Sequence, residues 1–336
     1  MTEIPTIEAI RPNIYRVPVP LPNSPLRFLN SYFILSEDKT TIVDVGFNHP
    51  DCARTLEDAL HRLGRDWDSV EILLTHSHPD HTGCLDRIWE RGMQVYANMH
   101  SFQEVRNLMN MESTVFNPLI KSIVSPAEHP LGAPSERDAS KYRVSAELLP
   151  MKNRFDFHYL GDGDIYRNGS HTFQVIATPG HDDWHICLYE PHIKMLIAGD
   201  TVLERITPAV YSWLVSYNAL NEFLGSLNKL YEFDVDIVLP GHGEPFTGMR
   251  ERIDFLKVHH AARLEEICRL VLGGHATILD IARQCAWKHA DWDSWPLDQK
   301  FYSLGETMAH LIYLVNEGRV RYSVCGADIR FEPPCN

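Results

Sequence analysis

The sequence predicts an α/β fold that carries a helical insertion and a small, mostly helical carboxyl-terminal domain. Three observations lead there. Short apolar runs of strand length recur between residues 30 and 240, several of them ending in a loop that bears histidine or aspartate. Between about 100 and 165 the apolar residues switch to helical spacing. After about 248 helical periodicity dominates until two short strand-like runs near residue 330.

Residues 1–30 are rich in proline, with Pro18, Pro20, Pro22 and Pro25 interrupting an apolar run. Proline cannot donate to a central ladder, so an edge strand and a loop are predicted there. Asn30–Leu35 and Thr40–Gly46 read as a hairpin joined by Ser36–Lys39. Asp44 and Gly46 close its second strand, and Asp44 taken alone is a common turn former. A helix at roughly 50–63 and a buried strand at Val70–Leu74 follow, then a helix at Leu85–Trp89 and a strand at Gln94–Ala97. The insertion of about 100–165 repeats Phe102, Val105 and Leu108, then Val115, Leu119 and Ile123, before Pro126, Pro130 and Pro134 open a polar loop. It can serve as a lid or substrate wall, or as a packing appendage. Met109 and Met111 read as core filler.

Strands resume at His171–Ala177, Ile186–Tyr189 and Lys194–Ala198, and a helix at 218–231 precedes a buried strand at Asp236–Pro240. A boundary at 248 separates an amino-terminal domain, 1–248, from a carboxyl-terminal domain, 249–336. In the latter, helices are expected at 249–272, Ala276–Trp287 and Leu297–Glu317, with Gly318 as a good cap. Strands at Val320–Tyr322 and Asp328–Phe331 follow. Helices and then a small hairpin suggest a winged-helix-like module. Its eleven basic against twelve acidic residues favour an interaction or supporting role over nucleic-acid binding.

The densest chemistry is Thr75-His76-Ser77-His78-Pro79-Asp80-His81-Thr82-Gly83, directly after the Val70–Leu74 run. It sits in a loop at the carboxyl end of a strand, where open α/β sheets carry ligands. Imidazoles plus a carboxylate, without cysteine, suit zinc and metals of similar hardness. Alternate residues of an extended loop diverge, so two ions a few ångströms apart fit these four side chains more easily than one. Three later strands each deliver one further metal-capable residue just past their carboxyl ends: His181, Asp200 and His242. A lone histidine is usually a satisfied core or surface residue. Three separate strand-end deliveries, added to the loop, reverse that reading.

Composition narrows the partners. A net charge of −14 argues against nucleic acid, whose binding by counterion release needs a basic surface. No run of about eighteen apolar residues is present, so no membrane span is expected. Met1–Pro5 is neither basic nor followed by an apolar stretch, and no secretory signal is expected. The seven scattered cysteines, free of CxxC pairs, fit free thiols in a reducing cytoplasm.

The constellation resembles the metallo-β-lactamase-fold hydrolases, nearest to the glyoxalase II-like branch, over about residues 10–248. His76-x-His78-x-Asp80-His81 matches the family's HxHxDH loop, and His181, Asp200 and His242 match its three later ligands. Asp44-Val45-Gly46 matches the DxG that supports the site from behind. The resemblance implies an αββα sandwich and two zinc ions per chain, with iron or manganese compatible with the same donors. His76, His78 and His181 would hold one ion and Asp80, His81 and His242 the other, with Asp200 and a hydroxide between them. Asp80 and His185 are the catalytic candidates beyond pure ligation. His185, in Asp182-Asp183-Trp184-His185, supports the site or meets substrate, or alternatively is an interior hydrogen-bonding histidine.

Family members cleave thioesters, lactones, β-lactams and phosphodiesters, and a few displace aryl halide or oxidise persulfides. A small ester-like substrate, thioester first, is expected here because the apolar insertion suits an acyl group and a cytoplasmic setting is not that of secreted β-lactamases. A lactonase reading lacks a tyrosine immediately after Asp200, Tyr211 and Tyr217 being the nearest. A mononuclear iron persulfide dioxygenase would leave Asp80, His81 and His242 unused, and a non-catalytic binding protein should show ligand losses. A homodimer through the insertion or the tail is a further expectation.

Overall fold

In the computed structural model, which describes residues 6–89, 92–124, 150, 155–288, 291–325 and 328–334, the strands up to residue 240 fall into two sheets. The first holds β1 (Glu8–Arg11), β2 (Ile14–Pro20), β3 (Phe28–Leu35), β4 (Thr40–Val43), β5 (Val70–Leu73), β6 (Gln94–Ala97) and β7 (Asp156–Tyr159), in that order. The second has the order β12-β11-β10-β9-β8, built from β8 (Ile165–Asn168), β9 (His171–Ala177), β10 (Ile186–Glu190), β11 (Met195–Gly199) and β12 (Ile237–Pro240).

One apolar layer joins the sheets. Ile14, Tyr32, Ile34, Val43 and Leu73 from the first pack with Phe173, Val175, Leu188, Ile197 and Leu239 from the second. Each fully buried aliphatic side chain of this kind contributes about 1.5–3 kcal/mol. Outside the first sheet, α1 (Pro50–Arg62) buries Cys52, Leu56, Ala59 and Leu60 along one face. Pro50 opens that helix where its missing N–H costs nothing, and His49 Nδ1 accepts the Asp51 N–H at 3.2 Å.

Two expectations are corrected. The amino-terminal run forms a hairpin, β1 with β2, rather than one edge strand. The register of β1 on β2 reaches only Arg16, and Pro18 and Pro20 lie beyond it, where a missing donor is tolerated. The insertion of 100–165 is not helical throughout. The described part holds the helix α4 (Phe102–Val124), but Asp156–Tyr159 pairs parallel to β6 and Ile165 begins the second sheet. These four-residue strands are too short for periodicity to reveal. Pro126, Pro130 and Pro134 lie outside the described residues.

Topology gathers the loops that matter at one sheet edge. β4 and β5 run parallel, with Val43 beside Leu73, so Asp44 and Thr75 leave the first sheet together. β11 and β12 run parallel, with Gly199 beside Pro240, so Asp200 and His242 leave the second together. β10 is antiparallel to both β9 and β11, which puts the end of β9 at that same edge.

The chain divides into two compact units, Met1–Arg106 with Val144–Pro208 and Ser226–Arg252, and Asn107–Arg143 with Ala209–Gly225 and Ile253–Asn336. The partition departs from a single cut at 248, because part of the insertion joins the carboxyl-terminal helices. Within the second unit Phe116 of α4 lies 5.5 Å from both Trp213 and Phe301, ring centre to ring centre. The helix α5 (Ala219–Tyr231) spans the partition. The second unit also contains most of α6 (Met249–Leu272), α7 (Ile278–Gln284), α8 (Leu297–Asn316) and the hairpin β13 (Arg321–Cys325) with β14 (Asp328–Glu332). Gly318, at φ +67°, follows α8 and donates to Val315 O at 3.0 Å, as a helix-ending glycine should. Among the described residues no helix is long and apolar enough to cross a membrane, and Cys52, Cys84, Cys187, Cys268 and Cys285 are buried free thiols.

A buried histidine pair gives this unit a pH dependence. His310 Nδ1–H donates to Glu306 O at 2.7 Å, which leaves its Nε2 to accept from His260 Nδ1–H at 3.2 Å. Both rings are therefore neutral. Burial, aided by the neighbouring ring, pushes His260 down to about 2, and burial pushes His310 down to about 3. Unfolded histidine titrates near 6.5, so below that pH the unfolded chain takes up protons that the folded one refuses. The stability from this pair is complete above about pH 6.5 and falls as pH drops, by on the order of 2 kcal/mol per ring at pH 5. Denaturant unfolding of the chain at pH 7 and pH 5 is expected to show the loss, and a His260→Leu/His310→Leu double variant to show less of it. Glu306 works in the opposite sense. Burial raises it to about 7, so its contribution fades as pH rises through that value.

Candidate metal centre

The loop after β5 turns into α2 (Pro79–Thr82), and this brief helix brings His81 back beside His76, their ring centres 4.0 Å apart. Gly83 is required where the turn ends, since a Cβ there would stand 2.7 Å from Asn48 N and from Pro79 O. A short helix, α3 (Leu85–Ile88), follows.

All seven residues expected as ligands meet at the gathered sheet edge. Three sets bring their ligand atoms within 4.8 Å of one another: His76, His78 and His181; His76, His81 and Asp200; and Asp80, His81 and His242. Asp200 Oδ2 lies 3.7 Å from His181 Nε2 and 3.4 Å from His242 Nε2, and its Oδ1 lies 3.6 Å from His81 Nε2. Asp80 Oδ2 is 3.3 Å from His242 Nε2. The carboxylate of Asp200 thus stands between the first set and the last.

The tautomers of His76, His81 and His242 are fixed from behind, so that Nε2 is the atom each of these three rings presents. Asp44, at φ +60°, accepts Thr75 N–H at 2.8 Å, Thr75 Oγ1–H at 2.7 Å and His81 Nδ1–H at 2.7 Å. The Thr75 hydroxyl, its proton given to Asp44, accepts His76 Nδ1–H at 3.0 Å. His242 Nδ1–H donates to Phe28 O at 2.9 Å. The loop of His242 is held by Asn30, whose Nδ2 donates to Pro240 O at 2.9 Å and Gly243 O at 2.8 Å, and by Tyr32, whose hydroxyl donates to Pro240 O at 2.7 Å. Arg16 completes this support through Asn30 Oδ1 at 2.8 Å and Glu244.

His185 does not face the ligand cluster as a substrate contact. Its Nε2 accepts the Asp200 backbone N–H at 3.0 Å, and its Nδ1–H donates to Thr178 Oγ1 at 2.7 Å, with Thr201 Oγ1 at 3.0 Å. It is fully buried. Of the readings expected for His185, these contacts match a supporting or interior hydrogen-bonding histidine rather than one that meets substrate.

The electrostatics suit cation binding. Burial, then the surrounding imidazoles, hold His76 well below the usual histidine range, so its Nε2 keeps a lone pair. Burial also lowers His78. Burial would lower His81 and His242 too, but nearby carboxylates win: Asp44 and Asp200 lift His81 well above its usual value, and Asp200 and Asp80 lift His242 to about 10. Asp80 and Asp200 are held below the ordinary carboxylate range by these histidines, against the opposing effect of burial. Two observations fit a metal here. His76 Nε2 and Asp200 Oδ1 are buried without a hydrogen-bond partner among the described residues. Room beside Asp200 exists because residue 241 is glycine, whose missing Cβ would stand 2.3 Å from Oδ1.

Sequence reading missed Thr75, Ser77, Asn30, Arg16, Thr178, Thr201 and Gly241. Only Gly241, next to a histidine at a strand end, offered a local signal.

The family model of the Metallo-beta-lactamase superfamily matches residues 25–105 and 115–242. The chain is 25% identical over 296 residues to the probable metallo-hydrolase YqjP of Bacillus subtilis, covering 85% of this chain and 87% of that protein. It is 26% identical over 240 residues to the human acyl-coenzyme A thioesterase MBLAC2, covering 66% of this chain and 75% of that one. The crystal structure of a metallo-beta-lactamase family protein from Thermus thermophilus superposes with a TM-score of 0.76 at 28% identity, over 97% of this chain and 100% of the other.

Proposed function

Since the chain belongs to the metallo-β-lactamase superfamily and is a metallo-hydrolase of that fold, we propose that it holds two zinc ions and cleaves a small thioester. The observation that supports this most is the pair of ligand sets, His76/His78/His181 and Asp80/His81/His242, with Asp200 reaching toward both. Each set would hold one ion and Asp200 would bridge them.

When bound, such ions polarise a carbonyl oxygen and lower the pKa of a coordinated water from 15.7 to about 7. The residues of the chain prepare and contain that chemistry. Asp80 and Asp200 offset the charge of two dications. The Asp80 side chain is 17% exposed and that of Asp200 8%, so Asp80 is the more accessible carboxylate, placed to take and pass on a proton. Asp44, Thr75 and His185 keep the ligand atoms aimed without touching substrate. The thioester preference draws on the relative named as an acyl-coenzyme A thioesterase.

Metal analysis of the purified protein, run beside a panel of thioesters, lactones and phosphodiesters, tests this reading. About two zinc per chain with thioester cleavage is the expected result. A single iron with no hydrolysis would overturn it, and lactone cleavage alone would move the substrate assignment.

A further inference from the structure

We propose that Ser77 and Asp182 latch together the two loops that carry His76, His78 and His181, and so set the affinity of the ion held by those three histidines. This rests on the two-ion reading above and deepens it. The ion held by Asp80, His81 and His242 is outside the reach of the latch.

Ser77 stands between two of the histidines and Asp182 directly follows the third. The Ser77 hydroxyl donates to Asp182 Oδ2 across the gap between the loops, and both residues are buried. Asp182 also shapes its own loop. Its Oδ1 accepts Trp184 N–H at 2.8 Å, and its carbonyl accepts Gly180 N–H and His185 N–H, both at 3.3 Å. On the other side Thr82 Oγ1 donates to His78 O at 3.0 Å and Ser77 O at 3.3 Å. Two internally ordered loops are thus joined at their tips by a hydroxyl–carboxylate bond, a strong, charge-assisted type. The rings they carry lie close, His78 4.6 Å and His76 5.1 Å from His181 between centres.

The second set is oriented by different partners. His81 takes its direction from Asp44, and His242 from Phe28 O and the Asn30 support. Charge divides the sets too, since the three-histidine set has no carboxylate besides the shared Asp200, and Asp182 supplies one from one residue away. The bases of the loops are tied independently by Ile186 N–H donating to Thr75 O at 2.8 Å, so removing the latch leaves the sheet edge intact.

The test measures cobalt(II) affinity by chelator competition in two backgrounds, His242→Ala, which keeps the three-histidine set whole, and His181→Ala, which keeps the other. Ser77→Ala is expected to weaken cobalt about 10- to 100-fold in the first background, the usual size for loss of an outer partner of a ligand, and less than about twofold in the second. Asp182→Ala should weaken it at least as much, since it also removes the acceptor of Trp184 N–H and a nearby carboxylate, and adding Ser77→Ala to it should cost little more, because the latch bond is already gone. Asp182→Asn keeps an acceptor for the Ser77 hydroxyl and should recover part of the loss. Equal weakening in both backgrounds, or none in either, overturns the latch. Should Ser77→Ala fail to fold, Asp182→Asn decides by the same comparison. An unsubstituted chain that binds fewer than two cobalt ions sinks the two-ion reading itself, a result distinct from an unselective latch.

Discussion

His181→Ala is expected to fold, to bind one zinc ion where the unsubstituted chain binds two, and to lose about a hundred- to thousandfold in thioester turnover. The side chain is buried at the end of the β9 loop, and its Nε2 is the ligand atom of that loop, 3.7 Å from Asp200 Oδ2. No other residue of the His76 set comes from this part of the chain. Truncation leaves two imidazoles, which cannot hold an ion tightly enough to polarise a carbonyl beside Asp200. Asp80→Ala should cost a similar factor through the other ion, since it removes the carboxylate 3.3 Å from His242 Nε2. Metal content and steady-state turnover, measured on the same preparation, check both. Wild-type turnover in a His181→Ala protein that carries its full metal would remove His181 from the site.

Why this much of the centre was legible follows from how it is built. Asp200 and His242 are the first polar residues after buried apolar strands, His76 and His181 follow their strands within a few residues, and parallel pairing of β4 with β5 and of β11 with β12 then brings those strand ends together. A strand-end histidine is visible one residue at a time, so His181, Asp200 and His242 could be found without knowing the sheet order. The supporting residues follow no such rule. Arg16 and Asn30 act on the His242 loop from more than two hundred residues away, through pairing that only the folded hairpin of β2 and β3 creates. Thr178 and Thr201 matter because they meet at His185, and a threonine after a strand carries no mark of that.

His185 shows the limit in a single residue. A histidine four positions after a ligand, beside two aspartates, invites a role with substrate. What decides is that β10 begins at Ile186 and pulls the ring under the Asp200 backbone, where both nitrogens are used. The helical insertion shows the same limit at the scale of an element. Its first half kept the 3.6-residue period over Phe102–Val124 and was readable. Asp156–Tyr159 is a strand because Gln94–Ala97 lies alongside to pair with it, and four residues of mixed polarity announce nothing by themselves.

Gly241→Ala should be as damaging as loss of a ligand, although it removes no ligand and adds a single methyl group. An ideal Cβ at residue 241 would lie 2.3 Å from Asp200 Oδ1, 2.9 Å from His81 Cε1 and 3.3 Å from Gly199 O. The backbone cannot back away, because Gly241 N–H donates to Gly199 O and Gly241 O accepts Asn30 N–H, each at 2.7 Å. Asp200 has to move instead, against a His185 that holds its main chain in place. The expected protein is folded, binds at most one ion and loses at least about a hundredfold in turnover. Gly243→Ala is the informative control. Residue 243 has φ +85° and open space around its would-be Cβ, so alanine there meets only backbone strain of about 1–2 kcal/mol. That variant should unfold more easily yet keep both ions and its activity. If Gly241→Ala instead retains two zinc ions and near-normal turnover, Asp200 does not occupy the place between the two histidine sets, and the bridging assignment fails while the fold stands.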